Sequence, residues 1–263
     1  MFRPGADVSV YRTCPRNNEM KYESVINKIR TYLRETGQNG DLLKATIEVR
    51  ARPLSTEEVI GDPEHEDYPL VDGREKMMEA RVRGARGHAF TDMYGHWQGK
   101  LEEVCDIESA NNYRRAILVA TLNAVMRYRG EVAHTVHCKD EGPVQCAEKL
   151  PSFVDSEGLK PPFALVGYQP RLAECLATLG PLTIVDMDPQ NVGQDRAGTT
   201  VMPPEEADEV LDEAACAFVT GSTIVNGTFH QFTELNIPTI FFGVTIAGAA
   251  ELLGLKRYCP LCT

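Results

Sequence analysis

The sequence contains no apolar run long enough to cross a bilayer. Its least polar long window, residues 237–255, is broken by Pro238, Glu251 and three glycines, and reads as a buried strand followed by a packed helix. The opening residues Met1-Phe2-Arg3-Pro4-Gly5-Ala6-Asp7 hold no apolar stretch of the kind a secretory signal needs, so none is expected. Positive charge is scarce too. There are 27 Lys and Arg against 38 Asp and Glu, a formal net charge of −11, which argues against a nucleic-acid backbone as partner. The acidic runs at 57–67 and 205–213 read as solvated faces. No segment repeats at a solenoid period. No Ser-His-Asp order, paired-carboxylate spacing or His-Glu-x-x-His helix is there to fix a reaction type. What these absences leave is a soluble, cytoplasmic protein with a metal ion or a small anionic molecule as its partner; a homo-oligomer is compatible with the sequence.

Cysteine, by contrast, is plentiful: Cys14, Cys105, Cys138, Cys146, Cys175, Cys216, Cys259 and Cys262. In a reducing cytosol these are thiols, metal ligands or redox groups rather than a disulfide scaffold. Cys175 and Cys216 sit in apolar runs and are expected to be structural, because a free Cys packs as a small hydrophobe. The densest set of soft ligands is His134, His137, Cys138 and Cys146, with Asp140 and Glu141 among them. Thiolate and imidazole together suit zinc, and thiolates also suit iron–sulfur clusters, so a transition-metal ion or an iron–sulfur cluster is the expected cofactor. The spacing is not that of a zinc finger. The chain closes with Cys259-Pro260-Leu261-Cys262, placed in a tail and not at a helix start, which favours a metal pair over thioredoxin chemistry. Such a pair needs two further ligands, and Cys138 and Cys146 supply them if the tail folds back; otherwise these are idle thiols on a frayed end. His88, Asp92 and His96 would share a face on a helix, but Gly87, Gly95 and Gly99 argue against one.

Read in order, the sequence suggests two domains, an α+β unit over 1–150 and a doubly wound, Rossmann-like unit over 151–263. Residues 1–20 read as an irregular lead-in. Helical spacing falls at 22–33, 74–82 and, most strongly, 109–129, where Gly130 stands just past the end. Strand patterns fall at 45–51 and 87–92, residues 53–73 read as loop, and 150–162 reads as a linker. From Pro161 short apolar runs alternate with helix-like segments, as in a parallel sheet with crossovers. Each run ends in small or polar residues: Gly167, then Asp186 and Asp188, then Gly221, Ser222, Thr223, Asn226 and Thr228, then Thr245. In open α/β sheets that carboxyl edge carries the ligand cleft. The 220–228 loop is not a Walker A loop, since its second glycine falls one place late and no Lys follows. Gly167-Tyr168-Gln169-Pro170 lacks the later glycines of a dinucleotide fingerprint, while Asp186 lies about where the ribose-binding acid would.

The loop Thr220-Gly221-Ser222-Thr223-x-x-Asn226-Gly227-Thr228 resembles the signature of the heavy-metal chelation domain family. Asp186-Met187-Asp188-Pro189-x-Asn191-x-Gly193, Gly167-Tyr168-x-Pro170 and the helical Ala120-Thr121-Leu122-Asn123-Ala124 are similar to it as well. The resemblance runs from about residue 45 onward. It implies an enolase N-terminal-like domain followed by a Rossmann-like domain, a ligand cleft between them, and the handling of metal ions or metal-bound compounds. The 134–146 segment and the Cys-x-x-Cys tail are not part of it. Two functions stand: a metal-handling protein, or a small-molecule or nucleotide-binding enzyme or sensor using the same cleft.

Overall fold

The computed structural model describes residues 16–38, 48–61 and 76–263. The first half runs α1 (Arg16–Gln38), β1 (Glu48–Pro53), α2 (Thr56–Ile60), β2 (Lys76–Val82), β3 (Ala85–Thr91), β4 (Trp97–Lys100), α3 (Leu101–Asp106), α4 (Asn112–Tyr128) and α5 (Gly142–Ser156). The second runs β5 (Phe163–Val166), α6 (Pro170–Leu179), β6 (Leu182–Val185), β7 (Asp195–Arg196), β8 (Thr199–Met202), α7 (Ala207–Glu213), β9 (Cys216–Thr220), α8 (Thr223–Asn226), β10 (Thr239–Phe242), α9 (Ala247–Leu253) and β11 (Arg257–Tyr258). The fold is mixed α/β. An antiparallel sheet has the order β3-β2-β1-β4, and a second sheet has the order β11-β10-β9-β5-β6-β8-β7, parallel except for the β7–β8 hairpin. The short apolar runs of the second half are its inner strands: every residue of β5 is buried, as are Cys216, Ala217, Phe218 and Val219 of β9.

Helix α4 decides how the two sheets meet. Asn111 caps it, its side chain accepting the Arg114 N–H at 3.0 Å. All residues from Ala116 to Met126 are buried, because β2 and β3 lie against one side and α8 and α9 against the other. A helix apolar on all sides belongs in such a position. Close approach is met by glycine: a Cβ on Gly87 would lie 2.3 Å from both Ala120 O and Ala124 N, and one on Gly248 would lie 2.9 Å from Leu122 Cγ. Asn123, fully buried, joins the two halves. Its Nδ2 donates to His88 O at 2.8 Å and to Val244 O and Thr245 O at 3.1 Å, while Oδ1 accepts Gly248 N–H at 2.7 Å. The resulting core runs without a break from Ile26 of α1 through α4 to Ala250 of α9.

Two expectations are corrected. Residues 76–82, in the segment expected to be helical, form strand β2, since pairing with β1 and β3 on both sides outweighs the helix preference of Met, Glu, Ala and Arg. The expected linker is in part helix: α5 continues through Pro151 to Ser156, burying Leu150 and Val154. Pro151 removes the donor to Ala147 O, and the thiol of Cys175 fills that place at 3.3 Å. The expected boundary at residue 150 thus falls inside a helix. Helix α1 starts at Arg16, within the stretch read as a lead-in; residues 1–15, 39–47 and 62–75, which include Cys14 and the first three residues of the expected 45–51 strand, lie outside the described residues.

Candidate metal centre

Beyond α4, Gly130 takes a left-handed φ of 74°, and the following residues run back beside β3. There the His88 N–H donates to Thr135 O at 3.0 Å, Thr135 Oγ1 donates to Arg86 O at 2.7 Å, and the His137 N–H donates to His88 Nδ1 at 3.1 Å. This course sets Cys138 just before α5 and Cys146 in its early turns. The other two cysteines arrive from the far end of the chain. β11 pairs with β10 at the sheet edge, and the Arg257 guanidinium donates to His134 O at 3.2 Å and Ala133 O at 3.3 Å. Tyr258 Oη donates to Cys146 O, and Val136 and Thr263 exchange backbone hydrogen bonds of 2.7 and 3.0 Å. The tail therefore folds back onto residues 133–146.

Three of the four cysteines pack together as a result. Cys259 Sγ donates to Cys262 Sγ at 2.9 Å, and Cys138 and Cys259 pack against the buried Cys262 in one cluster with Leu54, Val59 and Val244. Mutual hydrogen bonding and burial push the Cys138 and Cys262 thiols up to about 12 and hold Cys259 well above the ordinary thiol range. Unpaired thiolates would repel one another in so dry a place, so the protons stay on. A Cβ on Gly142 would lie 2.7 Å from Cys138 Cβ, so that glycine makes room for the first sulfur. His134 and His137 lie alongside but turn Nδ1 to backbone oxygens, His134 to Cys262 O and His137 to Cys138 O at 2.6 Å. Burial lowers His137 to about 4. Among the described residues, no group of three or more His, Cys, Asp and Glu side chains is placed to hold a metal ion. His88, Asp92 and His96 are spread along a strand and turn: His88 bonds Glu79, Asp92 accepts Asn112 Nδ2, and the His96 carbonyl accepts Tyr113 Oη. Cys105 and Cys216 are buried apolar thiols, raised by burial to about 11 and about 12.

The strand-end residues form a second locality, largely satisfied by its own hydrogen bonds. Asp186 accepts the Tyr168 N–H at 2.5 Å and the Asp188 N–H at 2.6 Å; burial raises its carboxyl against the pull of those donors. Asp188 accepts the Gln190 N–H at 2.9 Å. Gly167 (φ 87°) lies so close to Thr220 that a Cβ would meet Thr220 Cγ2 at 2.5 Å, and Gly221 abuts Ile246 in the same way. Thr220 Oγ1 and Ser222 Oγ are 3.0 Å apart, and Thr223 Oγ1 donates to Thr220 O at 2.8 Å. The Thr228 N–H donates to Thr223 O at 3.0 Å, and Thr245 Oγ1 accepts the Phe90 N–H at 3.0 Å. Asn226 Nδ2 stands 3.8 Å from the sulfur of Met187, a half-exposed side chain at the end of β6.

Residues 157–250 match DUF364, the family described as "Putative heavy-metal chelation". No curated protein matches the chain. A DUF364 protein of unknown function from Pyrococcus horikoshii shares the fold with a TM-score of 0.52 at 15% identity, over 84% of this chain and 79% of that one. Another of unknown function, from Desulfitobacterium hafniense DCB-2, gives a TM-score of 0.48 at 16% identity, over 68% of this chain and 72% of that one. The matched segment contains every strand-end residue named above. It contains none of Cys138, Cys146, Cys259 and Cys262, so the thiol cluster is a feature of this chain outside the DUF364 segment.

Two features escaped the sequence. Arg115 of α4 reaches the 220–228 loop, its Nε donating to Val225 O at 2.5 Å. Beside the thiols lies a cavity of about 670 Å³ floored by a buried ion cluster, in which His88 Nε2 donates to Glu79 Oε2 at 3.2 Å and Arg81 Nε to Glu79 Oε1 at 2.6 Å. Burial works against ionisation of Glu79, but the His88 and Arg81 bonds outweigh it and hold the carboxyl at about 2. Period-2 alternation at Glu79, Arg81, Arg86 and His88 was the available signal, and reading 74–82 as helix hid it.

Proposed function

We propose that this protein is a cytoplasmic metal-handling protein whose metal centre is built from Cys138, Cys146, Cys259 and Cys262. The observation that carries the reading is the packing of Cys138, Cys259 and Cys262 in one cluster, the C-terminal tail being folded back onto residues 133–146 by at least five separate hydrogen bonds. Buried polar groups persist where something repays their desolvation, and neighbouring thiols, with Cys146 close in sequence to Cys138, suit a soft cation that replaces their protons. The donor set fits: all four are free thiols. The heavy-metal chelation description of the matched segment supports the same reading from a different part of the chain. Among the described residues no helix is long and apolar enough to span a membrane. Anaerobic purification followed by elemental analysis tests the proposal. About one bound ion per chain is expected, lost on Cys138→Ser or Cys262→Ser; a metal-free protein that also fails to take up added metal would sink it.

One observation favours a second ligand place at the strand ends. The Arg196 guanidinium lies 5.7 Å over the Tyr168 ring, and its buried Nε has no hydrogen-bond partner among the described residues. A donor left in that state beside Tyr168, whose own N–H bonds Asp186, suits a small anionic molecule. On this reading the cleft binds a metabolite or nucleotide as an enzyme or sensor would. Mass spectrometry of small molecules released on denaturing the purified protein checks it, and an empty cleft in every preparation counts against it.

A further inference from the structure

We propose that Cys259 and Cys262 are a reversible redox pair, which closes to an intrachain disulfide by exchange with a low-molecular-weight disulfide. The proposal goes beyond the metal reading and does not depend on it, because the bond forms in metal-free protein.

The placement of the two sulfurs carries it. Cys259 Sγ and Cys262 Sγ stand 2.9 Å apart, and a disulfide needs about 2.05 Å, so side-chain movement of about 0.9 Å closes the bond. The backbone between them bends at Pro260 and Leu261, and the proline ring fixes φ at the first of these. Both flanks of the bend are anchored. On one side β11 pairs with β10, the buried Tyr258 bonds Cys146 O, and Arg257 donates to Ala133 O and His134 O. On the other, Thr263 exchanges backbone hydrogen bonds with Val136, and His134 Nδ1 meets Cys262 O. In an unfolded tail the sulfurs meet only when several torsions agree; the folded tail holds those torsions in place. Cys105, Cys175 and Cys216 belong to other parts of the core, and Cys138 is the neighbouring thiol in the same cluster.

Exposure sets the order of events. Cys259 is half-buried, whereas Cys262 is 4% exposed. The Cys259 thiol therefore loses its proton to solvent and attacks one sulfur of the incoming disulfide, expelling the first small thiol. Cys262 then gives up its own proton and attacks the Cys259 sulfur, forming the intrachain bond and expelling the second small thiol. The protein dithiol is oxidised by two electrons, and the small disulfide is reduced to two thiols. The pair differs from a catalytic Cys-x-x-Cys. It follows a strand instead of opening a helix, and hydrogen bonding and burial hold both thiols above the ordinary range. Closure belongs on the minutes-to-hours scale of uncatalysed exchange, which suits a switch and not a turnover catalyst. Leu261 and Thr263 line the cavity of about 670 Å³ described above, so the disulfide fixes one wall of it.

The test uses the full chain, reduced and stripped of metal with chelator, then incubated without oxygen with oxidised glutathione, quenched in acid and alkylated. Trypsin cleaves after Arg257, so residues 258–263 carry these two thiols and no other. That peptide should appear unlabelled and two hydrogens lighter than the dithiol, and excess dithiothreitol should restore both thiols. In Cys262→Ser, Cys259 should instead keep a stable glutathione adduct, since no second thiol expels it. In chain unfolded by guanidinium, the ratio of closed pair to adduct should be roughly tenfold lower at the same glutathione ratio. A bridge from either thiol to Cys138 or Cys146, a lasting adduct on the native wild type, full alkylation of both thiols, or equal closure in native and unfolded chain would overturn the proposal. A disulfide in protein that takes up no metal leaves the redox pair standing and removes the metal reading; metal uptake without a disulfide does the reverse.

Discussion

Asn123 offers the sharpest test of how the two halves are joined. Replacing it with Leu, close in volume, removes four hydrogen bonds from a fully buried site. The carbonyl of Val244 keeps a second donor, the Ala247 N–H at 3.0 Å, so its loss matters least. The Gly248 N–H at 2.7 Å is the expensive one, at about 1–3 kcal/mol for an orphaned buried donor, and the Thr245 and His88 carbonyls add roughly 1 kcal/mol together. The sum is about 3 kcal/mol, which for a chain of this length lowers Tm by roughly 10 °C. Urea unfolding monitored by circular dichroism measures it. A loss below about 1 kcal/mol would refute the claim that this side chain carries the junction. Asn123→Asp separates donors from shape: it keeps the acceptor for Gly248 but sets a carboxyl against three carbonyl oxygens. Burial and those oxygens raise its folded pKa above the unfolded value near 3.9, so the deficit relative to wild type must grow as pH rises through that window and shrink on acidification. A pH-independent deficit would contradict the geometry.

Three further outcomes follow from named contacts. Gly142→Ala, whose Cβ would lie 2.7 Å from that of Cys138, should displace the first sulfur and weaken Co²⁺ or Zn²⁺ binding at least tenfold with little change in far-ultraviolet circular dichroism. Because the folded thiols of Cys138 and Cys262 titrate at about 12, metal must expel protons near neutrality, so apparent affinity should fall at least tenfold per unit as pH drops from 8 to 6; a flat profile by competition titration would mean that these thiols are not the ligands. Gly87→Ala would set a methyl 2.3 Å from the backbone of α4 and should cost about 2–4 kcal/mol in denaturant titration, as overpacking against immobile atoms does.

Periodicity made α4 legible, since an apolar stretch of that length with Gly130 behind it can hardly be anything else. The inner strands of the second sheet were legible for a related reason: residues buried on both faces leave continuous apolar runs such as Phe163-Ala164-Leu165-Val166. Strand β2 was not, because Met77, Met78, Glu79 and Ala80 are good helix formers, and only the partners on either side, far away in sequence, turn them into a strand. Residues 150–156 misled through Pro151, whose missing donor is made good by Cys175, a residue far along the chain. At the candidate centre, ligand chemistry suggested the four cysteines. What no spacing rule contains is the fold-back of the tail, set by Arg257, Tyr258 and the Val136–Thr263 pair. The turning of both histidines toward carbonyls likewise depends on backbone atoms that composition does not see.

The burial of α4 on all sides has a consequence for how the molecule comes apart. A helix covered on one face can survive when its neighbour melts. This one cannot, since stripping away either sheet bares a row of Ala, Leu, Val and Met side chains that nothing else covers. Each half thus serves as the other's solvent shield, and unfolding should proceed as a single cooperative transition rather than sheet by sheet. Expressed alone, residues 151–263 would carry the whole DUF364 match and yet leave the buried faces of α8 and α9 open to water where α4 now lies. Such a fragment should be sticky and poorly folded until residues 76–150 are supplied.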